Sequence, residues 1–68
     1  MEHNMENKSV NDQITDAYNE YVEENTRFTG KGVKVSAARA RKALSELRKL
    51  ASERRKEIQT EKEVLTSK

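Results

Sequence analysis

Apolar residues recur with helical spacing in two stretches of this chain, and its only two glycines lie between them. In the first stretch they fall at Val10, Ile14, Ala17, Tyr21 and Phe28, with Tyr18 and Val22 widening the stripe and Glu24 interrupting it. Steps of three and four keep one face of an α-helix apolar. Ser9 followed by Asp12 supplies a start signal, because a serine hydroxyl accepts from the free amides of a first helical turn. In the second stretch a three-four repeat runs from Ala37 through Ala40, Leu44, Leu47, Ala51, Arg54, Ile58, Glu61 and Leu65, with Ala43 and Leu50 broadening the seam. The pattern predicts a polar, disordered tail over residues 1–8 and an acidic amphipathic helix over 9–28. A glycine-containing turn over 29–35, a basic amphipathic helix over 36–62 and a frayed end over 63–68 follow. Gly30 is the expected left-handed stop of the first helix, and Ser36 the expected cap of the second.

A link this short makes neighbouring helices antiparallel. The expected fold class is therefore all-α: an antiparallel helical hairpin of two helices, the second longer. Folding about the link sets opposite each other residues whose numbers sum to about 64. Phe28 then faces the region of Ala37, Tyr21 faces Ala43, Tyr18 faces Leu47 and Ile14 faces Leu50. Large side chains meet small ones, as dense packing prefers. The first helix runs out near Arg54, so residues 55–62 project and Ile58 and Leu65 are left uncovered. A second copy that covers them makes a homodimer, with a four-helix bundle as one form of it.

Composition narrows the class. A chain of 68 residues with 32% hydrophobic and 38% charged residues has room for one small, marginal core, which strengthens the expectation of self-association. There is no cysteine, hence no disulfide or thiolate metal site, and no proline to interrupt a helix. No apolar run approaches the roughly 20 residues that span a bilayer. These features predict a soluble, cytoplasmic, helical chain. Its net charge of +2 conceals a division. Residues 1–28 carry seven acidic against two basic residues, and residues 34–62 carry ten basic against four acidic. Such asymmetry steers an anionic partner to one side; alternatively, the two halves attract each other across the hairpin.

The basic residues are ordered. Arg41-Lys42, Arg48-Lys49 and Arg55-Lys56 open three tandem heptads, RKALSEL, RKLASER and RKEIQTE, and Lys62 adds one further step. Seven residues make almost two helical turns, so each return drifts by only about 20° and rises about 10 Å. A one-sided cationic strip of this kind suits a polyanion. Each phosphate neutralised by Lys or Arg releases a counterion, giving affinity without sequence reading, and Arg adds bidentate geometry. Lys31, Lys34, Arg39, Arg41, Lys42, Arg48, Lys49, Arg55 and Lys56 are the candidate phosphate contacts, and double-stranded DNA the expected partner. Nothing on this helix reads bases: it has no helix-turn-helix pattern, no Asn or Gln cluster on the basic face, and no aromatics to stack on unpaired bases. The plainer alternative is that the cations only solvate the edge of a coiled coil, or pair with carboxylates at helical spacing: Lys49 with Glu53, Arg54 with Glu57 or Glu61. The chain is then a small interaction or phage adaptor module without nucleic-acid binding.

Catalysis finds no support. His3 is the sole histidine and lies in the polar tail, and Glu20, Glu23 and Glu24 read as the solvated face of the first helix rather than as a metal site. Tyr18 and Tyr21 lie on the apolar stripe, where core packing explains them. The second helix is basic and amphipathic, but its alanine-rich seam lacks the Trp and Phe of membrane-surface helices. No cofactor, metal, membrane or small-molecule substrate is expected.

The stretch Gly30-Lys31-Gly32, Ser36-Ala37-Ala38 and Arg39-Ala40-Arg41-Lys42, with the leucines and Arg/Lys pairs that follow, resembles the bacterial histone H1-like family that includes the chlamydial Hc1 proteins. A Gly-Lys turn, a run of small residues and Arg-x-Arg-Lys opening an amphipathic helix carry the resemblance, over about 30 residues. It implies a helical hairpin that binds DNA without sequence preference and organises or condenses a nucleoid, in a bacterium or a phage-infected one. Arg39, Arg41 and Lys42 would be the contacting positions of the motif. This sequence departs from the chlamydial pattern in having no long Lys/Ala-rich tail and in the inserted Val33-Lys34-Val35.

Overall fold

A computed structural model describes residues 8–66. They form two helices, α1 (Val10–Lys31, 22 residues) and α2 (Lys34–Thr66, 33 residues), packed against each other as a hairpin, with no strand among the described residues. The expected tail, apart from Lys8, lies outside the described residues and takes His3 with it.

Helix α1 starts where its capping signal predicts. Ser9 is extended, at φ −66° and ψ 159°, and its Oγ accepts from the Asp12 amide at 3.0 Å. Asp12 in the first turn also places negative charge at the positive end of the helix dipole. The end of α1 differs from expectation. Gly30 stays helical, and Gly32 takes the left-handed conformation, at φ 70° and ψ 26°. The Gly32 amide donates to the Phe28 carbonyl at 2.9 Å, and the Val33 amide donates to the Arg27 carbonyl at 3.4 Å. Either glycine can adopt positive φ without a Cβ penalty. The later stop adds helical hydrogen bonds and brings Lys31 into the last turn, beside the exposed carbonyls it complements.

Only Gly32 and Val33 then separate the helices, so the turn is shorter than the seven residues expected. Ser36 is not the cap. Its amide donates to the Val33 carbonyl at 3.1 Å, and the residue is buried to 1% exposure inside the first turn of α2. At the far end α2 runs to Thr66, beyond the expected stop at 62, with the Thr66 hydroxyl bonded to the Lys62 carbonyl at 3.0 Å.

Residues near the turn meet each other and residues far from it meet each other, which fixes the antiparallel arrangement. Phe28 and Ala37 border one hollow, Gln13 and Leu50 a second, and Ser9 and Arg54 a third. The seam of α2 has a different phase from the one expected. Its buried residues are Ser36, Ala40, Ala43 and Leu50, whereas Leu44 is 46% exposed and Ala51 lies at the surface. Two three-four repeats compete in this helix, sharing Ala40, Leu47 and Arg54. The repeat through Ser36 and Ala43 places small side chains where the helices approach, which permits close packing. Leu44 moves to the flank beside Tyr21 and Phe28. Tyr21 is half-buried, whereas Tyr18 is 55% exposed.

Glu24 is the largest departure. Expected on the solvated face, it is instead buried to 7% exposure in the seam of α1, with Oε1 lacking a hydrogen-bond partner. Its Oε2 receives only a long contact, 3.4 Å, from Arg27, which also holds Glu23 at 3.1 Å. A buried polar atom without a partner costs about 1–3 kcal/mol. Glu24→Met keeps the side-chain length and the helix propensity while removing that cost. The variant should unfold at a temperature higher by about 4–8 °C per kcal/mol gained, as measured by the helical circular dichroism signal. An unchanged or lower midpoint would mean that the carboxylate is satisfied in solution.

Beyond Arg54, where Ser9 at the start of α1 still borders a hollow with Glu57 and Glu61, α2 runs on largely exposed. Ile58, Val64 and Leu65 are 50%, 55% and 69% exposed, and the molecule reaches 53 Å along its longest axis.

Candidate nucleic-acid interface

The packing of α2 decides where its cations point. Ser45 and Ser52 each follow a buried seam residue, Ala43 and Leu50, by two positions. At 3.6 residues per turn this places the serines about 200° round the helix, facing away from α1. Arg41, Arg48 and Arg55 form a row on one side of these serines, and Lys42, Lys49 and Lys56 a row on the other. All six cations are exposed.

Because α2 begins at Lys34, the arginine row is longer than the turn boundary expected from sequence allowed. Lys34, Arg41, Arg48, Arg55 and Lys62 stand at successive steps of seven, all exposed, along continuous helix from Lys34 to Lys62. The row is about 42 Å long and drifts by about 80° round the helix from end to end. Lys62, absent from the candidate contacts, completes it; its signal in the sequence was its heptad position. Arg39 is separated from it. It lies about 160° from Arg41, beyond the lysine row and towards the seam. Lys31 sits in the last turn of α1, near the start of the row.

The described residues contain few ion pairs, and these leave the two rows alone. Lys8 pairs with Asp16, Arg27 with Glu23 and Glu24, and Arg54 with Glu57 and Glu61. None joins α1 to α2, so the opposite charges of the two halves do not meet in direct contact within the described residues. The pairing expected between Lys49 and Glu53 is not made. That for Arg54 is made twice, at 2.8 Å to Glu57 and 3.0 Å to Glu61. Hydrogen bonds that Arg54 donates to Glu57 first, then to Glu61, push its pKa further above its ordinary value. Arg54 is thus a structural cation at the edge of the seam, and Lys34, Arg41, Lys42, Arg48, Lys49, Arg55, Lys56 and Lys62 make no ion pair among the described residues.

Between the rows the surface is hollowed. One shallow depression is lined by Ser45, Arg48, Lys49, Ser52, Glu53 and Lys56. A second adjoins it and shares Ser52 and Lys56, adding Arg55, Ile58 and Gln59. Asp12, Asp16, Glu20 and Glu23 remain exposed on α1, with Asp16 and Glu20 bordering the groove between the helices beside Glu46 of α2. No group of three or more His, Cys, Asp or Glu residues able to hold a metal occurs among the described residues, and no described helix is long and apolar enough to cross a membrane.

No curated protein and no solved structure matches this chain significantly. A family model does, that of the histone H1-like protein Hc1, over residues 8–64. The match takes in both helices and the turn, and so extends well beyond the stretch from Gly30 that carries the resemblance in the sequence. The chain belongs to the histone H1-like protein Hc1 family.

Proposed function

We propose that this hairpin binds duplex DNA along the outer face of α2, through the phosphate backbone and without reading base sequence. Family membership points to a DNA-binding nucleoid protein rather than an enzyme. The observation that carries the finer reading is the distribution of ion pairs. Carboxylates pair with Arg54 at the seam, while the two exposed rows bordering Ser45 and Ser52 make no ion pair among the described residues. Cations not engaged in internal ion pairs remain available to an external polyanion. Arg41, Lys42, Arg48, Lys49, Arg55 and Lys56 are the central contacts, Lys34 and Lys62 extend them, and Lys31 and Arg39 reach the same strand only from the turn end. Retardation of two duplexes of unrelated sequence at ~50 mM salt tests the reading, with equal affinity expected for both. Failure to retard either one overturns it in favour of an interaction module.

The projecting end of α2 supports a second element of the proposal, a homodimer. Ile58 and Leu65 are exposed where α1 has ended, and a second copy packed there would extend the seam. Light scattering at micromolar concentration should give about twice the 7.9 kDa of one chain; a monomer throughout would remove this element and leave the DNA reading standing. Action at the nucleoid follows from the same proposal.

A further inference from the structure

The hydroxyl groups of this hairpin divide into two kinds. Those of Thr15, Thr26, Thr29 and Thr66 donate to the carbonyl four residues back in their own helix, at 2.8–3.3 Å. Ser9 caps α1 through its Oγ, and Ser36 is buried. Ser45 and Ser52 do neither: both are exposed, and among the described residues their hydroxyls have no hydrogen-bond partner. The Thr60 hydroxyl also makes no hydrogen bond among the described residues, but it borders a different hollow, with Arg54, Glu57 and Glu61, where the arginine is already held by the two carboxylates.

Ser45 and Ser52 lie seven residues apart on the line between the arginine and lysine rows, and both border the cationic depression. They are the smallest side chains lining that depression. A sugar–phosphate strand can therefore settle close to the helix barrel there, with long cations rising on either side, and a hydroxyl can donate to a phosphate oxygen at about 2.7 Å. Gln59 continues the line one heptad on, where its amide is already committed to Glu63 at 3.1 Å. The hydroxyl line therefore stops after Ser52.

We infer that Ser45 and Ser52 form the floor of a phosphate track, donating hydrogen bonds to one strand of the duplex held between the two cationic rows. The inference rests on the DNA-binding reading and adds to it an uncharged, short-range contact that salt does not screen. Removing a hydroxyl takes away no charge, so it should weaken binding without changing the salt slope, whereas removing an arginine flattens the slope.

The test titrates duplex DNA with wild type, Ser45→Ala/Ser52→Ala and Ser45→Leu/Ser52→Leu across a range of salt. The alanine variant should bind more weakly by about threefold or more per hydroxyl, with the wild-type slope. Alanine is the better helix former, so its helicity and melting temperature should not fall, which separates lost contact from lost structure. The leucine variant should bind more weakly still and with a flatter slope, because its bulk lifts the strand off the cations. If wild type retards DNA and both variants bind like it, the inference is overturned and the backbone-binding reading survives. A wild type that does not bind duplex at all overturns both.

Discussion

Leu50→Ala is expected to leave much of the hairpin unfolded at room temperature, while Leu44→Ala should change its stability by less than about 1 kcal/mol. The two leucines are six residues apart in one helix and equal in chemistry. They differ in that Leu50 is 4% exposed, against Gln13 and Ala17 of α1, whereas Leu44 is 46% exposed on the flank. Truncating a buried leucine costs about 2–5 kcal/mol, because the cavity adds to the lost transfer energy. A single core in a domain of this size rarely supplies more than about 3–5 kcal/mol, so the loss is comparable with the whole. Urea melts followed by circular dichroism would measure both. If Leu44→Ala proved the more damaging, the seam would have the phase of the simple three-four repeat through Leu44, Ala51 and Ile58.

That phase marks where the sequence stops being legible. The hairpin, its antiparallel sense and the opposition of Phe28 to Ala37 all follow from the apolar spacing and a short glycine link, and the structure has them. Choosing between the two repeats of α2 is harder, because Ala43-Leu44 and Leu50-Ala51 are adjacent apolar pairs and either member can face the partner. The shapes of both helices together decide it, not the periodicity of one. Glu24 was misplaced for a related reason: a carboxylate at a seam position reads as a gap in the stripe, but the helix geometry carries the residue into the interface regardless. The choice of Gly32 over Gly30 is similar, two equivalent stop signals separated by one residue. The cationic strip was legible because heptad spacing on a helix is nearly independent of tertiary context. What the sequence did not disclose was its extent, since Lys34 joins the row only when the turn closes in two residues.

Replacing Arg41, Arg48 and Arg55 together with Ala should reduce affinity for duplex DNA roughly a hundredfold near physiological salt. Each phosphate contact contributes about 0.9 to the slope of log affinity against log salt, so the variant's slope should be shallower by up to about 2.7. The three arginines are exposed and make no ion pair among the described residues, and alanine favours helix, so the fold should persist. Arg54→Ala is the contrasting variant. Its charge is already held by Glu57 and Glu61, so its effect should fall on stability and not on the salt slope. Equal slopes for wild type and the triple variant would show that the row is solvated surface and that binding, if any, lies elsewhere.

The central claim is a backbone contact made by the outer face of α2, and the wild-type salt slope tests it most directly. Affinity for two duplexes of unrelated sequence would be measured at several salt concentrations from ~50 to ~200 mM. The claim predicts one common slope of about −4.5 or steeper, as expected when five or more phosphates are engaged. A slope near zero, or a strong preference for one of the two sequences, would contradict it.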